Sequence, residues 1–192
     1  MDVMEAIHSR RSIGKVKPDK IPVETIERIL EAGTWAPNHK HTEPWKFFVL
    51  RGKGRERLGH ALADIMREGM ENPDSPEAKE SLDKAFAKAF RAPVIIAAAV
   101  TPADKPGVIE LEEYGAVFAA IQNMLLATYS LGLGAVWRTG EPCYHRMMNE
   151  AFGLRPQDKM LGFIYLGVSD MGELKGRRED FRSKTVWIGE EE

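Results

Sequence analysis

Pro93-Val94-Ile95-Ile96-Ala97-Ala98-Ala99-Val100 is the stretch on which the fold turns. A strand with water on one side alternates apolar and polar residues, whereas a strand covered on both faces reads apolar throughout. This run does not alternate, so it predicts a strand at the centre of a sheet with helices on both sides. Residues 114–131, nearly all apolar, predict a long helix buried almost all round. Gly132 and Gly134 end that helix, and residues 135–137 start a further strand.

Working outward, Val3, Met4 and Ile7 recur at helical spacing and predict a short helix that ends at Arg10-Arg11. Pro22 suits a first helical turn, Ile26, Ile29 and Leu30 form one apolar face, and Gly33 suits the stop. Residues 45–50 read as a buried strand that Gly52 and Gly54 break. Helices are expected around Leu58–Met66 and over 77–90, with a turn at Asn72-Pro73-Asp74-Ser75-Pro76 between them. A short helix over 145–152, a fourth strand over 160–168 and a polar tail from Gly172 complete the reading. Strands interleaved with helices place the chain in the α/β or α+β sandwiches. The tail closes on Thr185-Val186-Trp187-Ile188, an apolar strand with no partner of its own, suited to another subunit's sheet edge.

The bulk numbers set limits. A length of 192 residues favours a single domain over residues 1–192. Hydrophobic residues at 43% and charged residues at 29% are those of an ordinary globular chain. A net charge of -2 gives no support to a nucleic-acid binder, although a local basic patch can still hold a small anion. Cys143 is the sole cysteine, which excludes an intrachain disulfide and agrees with a reducing cytosol. The acidic start is unlike a secretory signal, and the apolar runs 93–100 and 116–126 are too short to span a bilayer. The expectation is a cytoplasmic protein with no membrane and no nucleic-acid partner.

Three constellations could carry chemistry. Arg10-Arg11-Ser12 offers guanidinium forks and a hydroxyl that suit phosphate oxygens, although arginines after a helix also simply complement its negative end. The loop Pro37-Asn38-His39-Lys40-His41-Thr42-Glu43-Pro44 concentrates positive charge between two prolines, beside Trp35 and Trp45. Read blandly, it is a solvated basic loop. A metal is not expected at His39 and His41, because Lys40 repels a cation and no further ligand stands at the right spacing. Trp137-Arg138-Thr139-Gly140 ends an apolar strand in polar residues, a usual place for ligand contacts, whereas Gly132 and Gly134 need no more than a helix stop. Gly176-Arg177-Arg178 is a second phosphate candidate or a solvated linker, and Cys143 reads as a small core residue. An anion grip facing a cationic wall suits a phosphorylated, flat, electron-accepting cofactor, and flavin mononucleotide (FMN) answers that description.

In this order the elements resemble the nitroreductase family of FMN-dependent oxidoreductases, most closely its small single-domain NAD(P)H branch. The resemblance is carried by Arg10-Arg11-Ser12, Ala36-Pro37-Asn38-His39-Lys40, Pro44-Trp45-Lys46-Phe47-Phe48-Val49, Arg91-Ala92-Pro93, Trp137-Arg138-Thr139-Gly140 and Phe163-Ile164-Tyr165-Leu166-Gly167. It implies an α+β three-layer sandwich, a central mainly antiparallel sheet flanked by helices, in an intertwined homodimer with FMN in the subunit interface. Arg10, Arg11 and Ser12 are then expected on the phosphate and ribityl end, with Arg178 from the tail. Trp35 and His39 would reach the cofactor from the other subunit, and Trp137, Arg138 and Thr139 would line the flavin. The implied activity is ping-pong: hydride passes from NAD(P)H to flavin N5 and then to a nitroaromatic, quinone or enone. No side chain acts as nucleophile or acid, which agrees with the absence of any triad. The alternative is a non-catalytic flavin carrier or redox sensor, which the same residues would serve.

Overall fold

The computed structural model describes residues 2–189. Four strands, β1 (Trp45–Arg51), β2 (Val94–Val100), β3 (Gly134–Arg138) and β4 (Lys159–Gly167), form one sheet in the order β1-β2-β4-β3. Every neighbouring pair is antiparallel, so the expected α+β architecture holds. The helices are α1 (Val3–Ser9), α2 (Val23–Thr34), α3 (Glu56–Glu68), α4 (Pro76–Ala87), α5 (Glu110–Ser130), α6 (Glu141–Tyr144) and α7 (Arg146–Ala151).

The apolar run over 93–100 contains β2, and every residue of that strand is buried. Its side chains alternate between two cores, as the pleat requires. Val94, Ile96, Ala98 and Val100 join Ile26 and Ile29 of α2 and Val117, Ile121 and Met124 of α5. Ile95, Ala97 and Ala99 join Leu58 of α3, Cys143 of α6 and Met148 of α7. Helices therefore cover the sheet on both faces, and α4 packs outside α3.

Several boundaries moved for local reasons. Helix α5 starts at Glu110, a turn before its apolar run, because Glu110, Glu112 and Glu113 favour the positive end of a helix. It is not buried all round: Leu111 and Phe118 are exposed. The helix expected over 77–90 starts at Pro76, with Ser75 Oγ accepting from the Ala78 N–H at 3.1 Å, and tightens to a 3-10 turn over Lys88–Phe90. Gly33 does not stop α2, which runs on to Thr34. The short helix expected over 145–152 is α7, and a further short helix, α6, precedes it. Residues 185–188 form no strand within the chain, and Val186, Trp187 and Ile188 are almost fully exposed.

One connection positions the site. After α1 the chain crosses the end of the sheet where β3 starts and β4 finishes. Ser12 bridges Ala135 in parallel, the Ile13 N–H donates to Ala135 O at 2.8 Å, and the Lys17 N–H donates to Val168 O at 2.8 Å. Lys15 pairs with Asp170 at 2.7 Å. This covers the outer edge of β3 and registers Arg10 and Arg11 against its first residues, leaving β1 as the other edge.

Candidate functional site

Arg10 and Arg11 line a cavity of about 570 Å³ with Leu125, Tyr129 and Ala135, closed on one side by the tail segment around Gly176. Arg11 Nη1 donates to His8 O at 2.6 Å and to Arg10 O at 2.9 Å, which fixes the guanidinium. A side chain at Gly176 would meet that guanidinium, so the backbone there lies close against Arg11 and a larger residue would displace it. Arg11 Nε is buried without a partner. Burial, and then the like charges of Arg11 and Arg178, pull the Arg10 guanidinium below its ordinary range. Among the described residues the arginines that do pair with carboxylates are Arg67, Arg146, Arg155 and Arg182. Glu173 lines the cavity without neutralising its arginines. Like charges crowded around an unmet donor form an environment that a phosphate would relieve.

β3 carries the next candidates. Ala135 belongs to the core under α5, and two residues on Trp137 faces the same way, its ring 5.7 Å from that of Phe118. Its indole N–H donates to Leu161 O at 3.2 Å. Arg138 lies on the opposite face, its guanidinium 5.3 Å from the centre of the Tyr165 ring, with Nε buried and unpartnered. The pleat thus separates the Trp137 and Arg138 side chains, and only Trp137 shares a face with the arginine cavity. Thr139 follows on the exposed turn.

The basic loop is at the other end of α5. Lys40, His41 and Glu43 all have positive φ, at 56°, 49° and 47°. Left-handed backbone is strained for residues with a Cβ and persists only where surroundings impose it. Here the first turn of α5 does so. Glu113, 1% exposed, accepts from Thr42 Oγ1 at 2.5 Å and from the Ala103 N–H at 3.1 Å. Glu112 Oε2 meets His39 Nδ1 at 2.6 Å, and the Glu43 N–H donates to Asn38 Oδ1 at 3.0 Å. Trp35 is 79% exposed. Acidic residues of this kind read as a solvated helix start in sequence, so their grip on the loop was not visible there.

With this geometry in place, a sequence profile described as "Nitroreductase family" matches residues 7–168. The chain belongs to the nitroreductase family. YdjA of Escherichia coli (strain K12) is 34% identical over 171 residues, 89% of this chain and 90% of that one. YfhC of Bacillus subtilis (strain 168) is 30% identical over 181 residues, 94% of this chain and 91% of that one. Both carry the name NAD(P)H nitroreductase. A nitroreductase-like family protein from Bacillus cereus matches the fold with a TM-score of 0.82 at 27% identity, over 98% of this chain and 96% of that chain. A protein from Desulfovibrio desulfuricans, described as a nitroreductase and solved in complex with FMN, has a TM-score of 0.70 at 26% identity, covering 98% of each chain.

Within one copy of the chain, the candidates fall into two groups. Arg10, Arg11, Ser12 and the start of β3 lie together, with Arg178 near enough for its charge to reach Arg10. Trp35 and His39 do not join them. His39 sits at Glu112 and the arginine cavity at Tyr129, opposite ends of α5, a separation of about 25 Å at 1.5 Å per residue.

Proposed function

We propose that the chain is an FMN-dependent NAD(P)H oxidoreductase whose site is completed by a second copy of itself. The arginine cavity carries this reading, with its crowded guanidiniums and the unmet Arg11 donor. Its donor set fits a phosphate monoester; Ser9 lines the same cavity, and Ser12 is bridged through its backbone to Ala135 beside it. Bound there, FMN would supply the redox chemistry, two-electron exchange between NAD(P)H and a nitroaromatic, quinone or enone in alternating half-reactions. The protein's own residues bind and orient. Trp137 shares the cavity's face and, held by Leu161 O and Phe118, offers a fixed wall. The loop around His39, braced by Glu112 and Glu113, holds cations in a rigid shape.

A two-fold pairing along α5 is the economical way to unite the separated groups. Antiparallel apposition sets the His39 end of one copy beside the arginine end of the other. Leu111 and Phe118 on α5 and Trp187 on the tail are the exposed apolar surface such a pairing would cover.

The test is anaerobic. NADPH or NADH should bleach the flavin of the purified protein, and a nitroaromatic should restore its colour. Flavin that binds but resists both nucleotides would leave a carrier or sensor; a preparation that takes up no FMN would overturn the reading altogether.

A further inference from the structure

A second cavity, of about 560 Å³, opens at the same end of the sheet as the arginine cavity, below β1 and β2. The two share no lining residue and are set apart by the width of the sheet, about 14 Å from β3 to β1 at strand spacing. Lys17, Lys20, Arg51, Arg55 and Arg91 surround this second cavity, and no carboxylate among the described residues lines it. Five cations from three segments around one concavity repel one another and focus a positive potential into it.

Arg55 is fixed as part of the wall. Its Nη1 donates to Ala92 O at 2.7 Å and its Nε to Gly52 O at 3.1 Å, while its plane lies 4.8 Å from the centre of the Phe90 ring. Lys20, Arg51 and Arg91 line the cavity and have no side-chain hydrogen bond or ion pair among the described residues, so their donors are uncommitted. The acid on the connection itself, Asp19 between Lys17 and Lys20, is exposed and stands outside the lining, and Asp170, which feels the charge of Lys17, is held by Lys15 at 2.7 Å. Ile21 and Val94 form a buried apolar floor. A cavity of this size with an apolar base and convergent charges has the form of a small-ligand site.

We propose that this cavity is an anion site for a di- or triphosphate chain, separate from the cofactor cavity. A phosphate monoester carries a charge of only about -2, less than five cations call for, and guanidinium forks suit adjacent phosphoryl groups. The chain can be that of a nucleotide or an inorganic polyphosphate, since both present the same oxygens.

Calorimetric titration of the flavin-loaded protein with inorganic tripolyphosphate, and separately with ATP, tests this. Saturable binding of one anion per chain is expected, with the flavin absorbance retained. The double variant Arg51→Glu, Arg91→Glu should bind about tenfold more weakly or worse, as loss of charge-assisted contacts implies. Both residues are exposed and free of structural hydrogen bonds, so the variant should fold and keep its flavin. Tighter binding of ATP than of tripolyphosphate assigns the nucleotide; equal affinity assigns the inorganic chain. Absence of saturable binding, equal affinity of the double variant, or release of flavin by the anion overturns the proposal.

Discussion

Asp158 shows how a single carboxylate is held charged against its surroundings. Its side chain is 2% exposed, and burial alone would raise its pKa. Arg155 outweighs this with Nη2 at 2.7 Å, Nε at 3.0 Å and its backbone N–H at 2.9 Å, and the carboxyl stays below its usual range. A lowered carboxyl pKa gives stability that is complete above the unfolded value near 3.9 and is lost as pH falls through the folded one. Asp158→Asn should therefore cost about 1–3 kcal/mol in urea unfolding at pH 7, a difference that narrows below about pH 4. Burial likewise pushes the Cys143 thiol up to about 12, so a disulfide reagent at pH 8 should label it only as fast as the protein unfolds. Arg11→Ala should weaken FMN retention about tenfold or more in a flavin titration. At this scale the sequence showed which residue types could grip an anion. That Arg178 would come within reach of Arg10 was expected only through the family resemblance, since a tail's path depends on contacts far from it in the chain. Nor did Trp137-Arg138-Thr139 reveal, read as a cluster, that pleating sends its first two side chains to opposite faces.

The secondary-structure elements were legible where burial is two-sided. β2 read correctly because no residue of it meets water, so its pattern was unbroken. Ile96→Ala, at 0% exposure, should cost about 2–5 kcal/mol in equilibrium unfolding. What the sequence left open was the strand order, because β1-β2-β4-β3 puts β4 between strands that precede it. The irregularity in β2 between Ala98 and Ala99 was equally silent. Opposite it, Gly162 has φ of 149°, and a Cβ there would strike the Trp137 indole. Gly162→Ala should lose about 1–3 kcal/mol and shift the tryptophan emission, because Trp137 must leave Leu161 O to make room.

For the molecule as a whole, the informative residues are apolar ones left outside. Leu111, Phe118, Trp187 and Ile188 are 80%, 40%, 85% and 96% exposed in a single copy, and the proposed pairing gives them a place. Sedimentation of the holo-protein across a dilution series should show flavin and dimer lost together; a monomer that keeps its flavin would contradict the shared site. Removal of the chain from residue 185 onward should weaken both. Sequence reading took α5 as buried all round because composition records how apolar a helix is, and not whether its cover comes from its own chain. β1 extends the same logic to biosynthesis. Its outer side carries unpaired backbone groups, and Lys46 and Arg51 are the charges on it, with Phe47-Phe48-Val49 between them. An edge with so few charges is open to pairing with another copy until it is covered, and slower synthesis at lower temperature should raise the soluble yield.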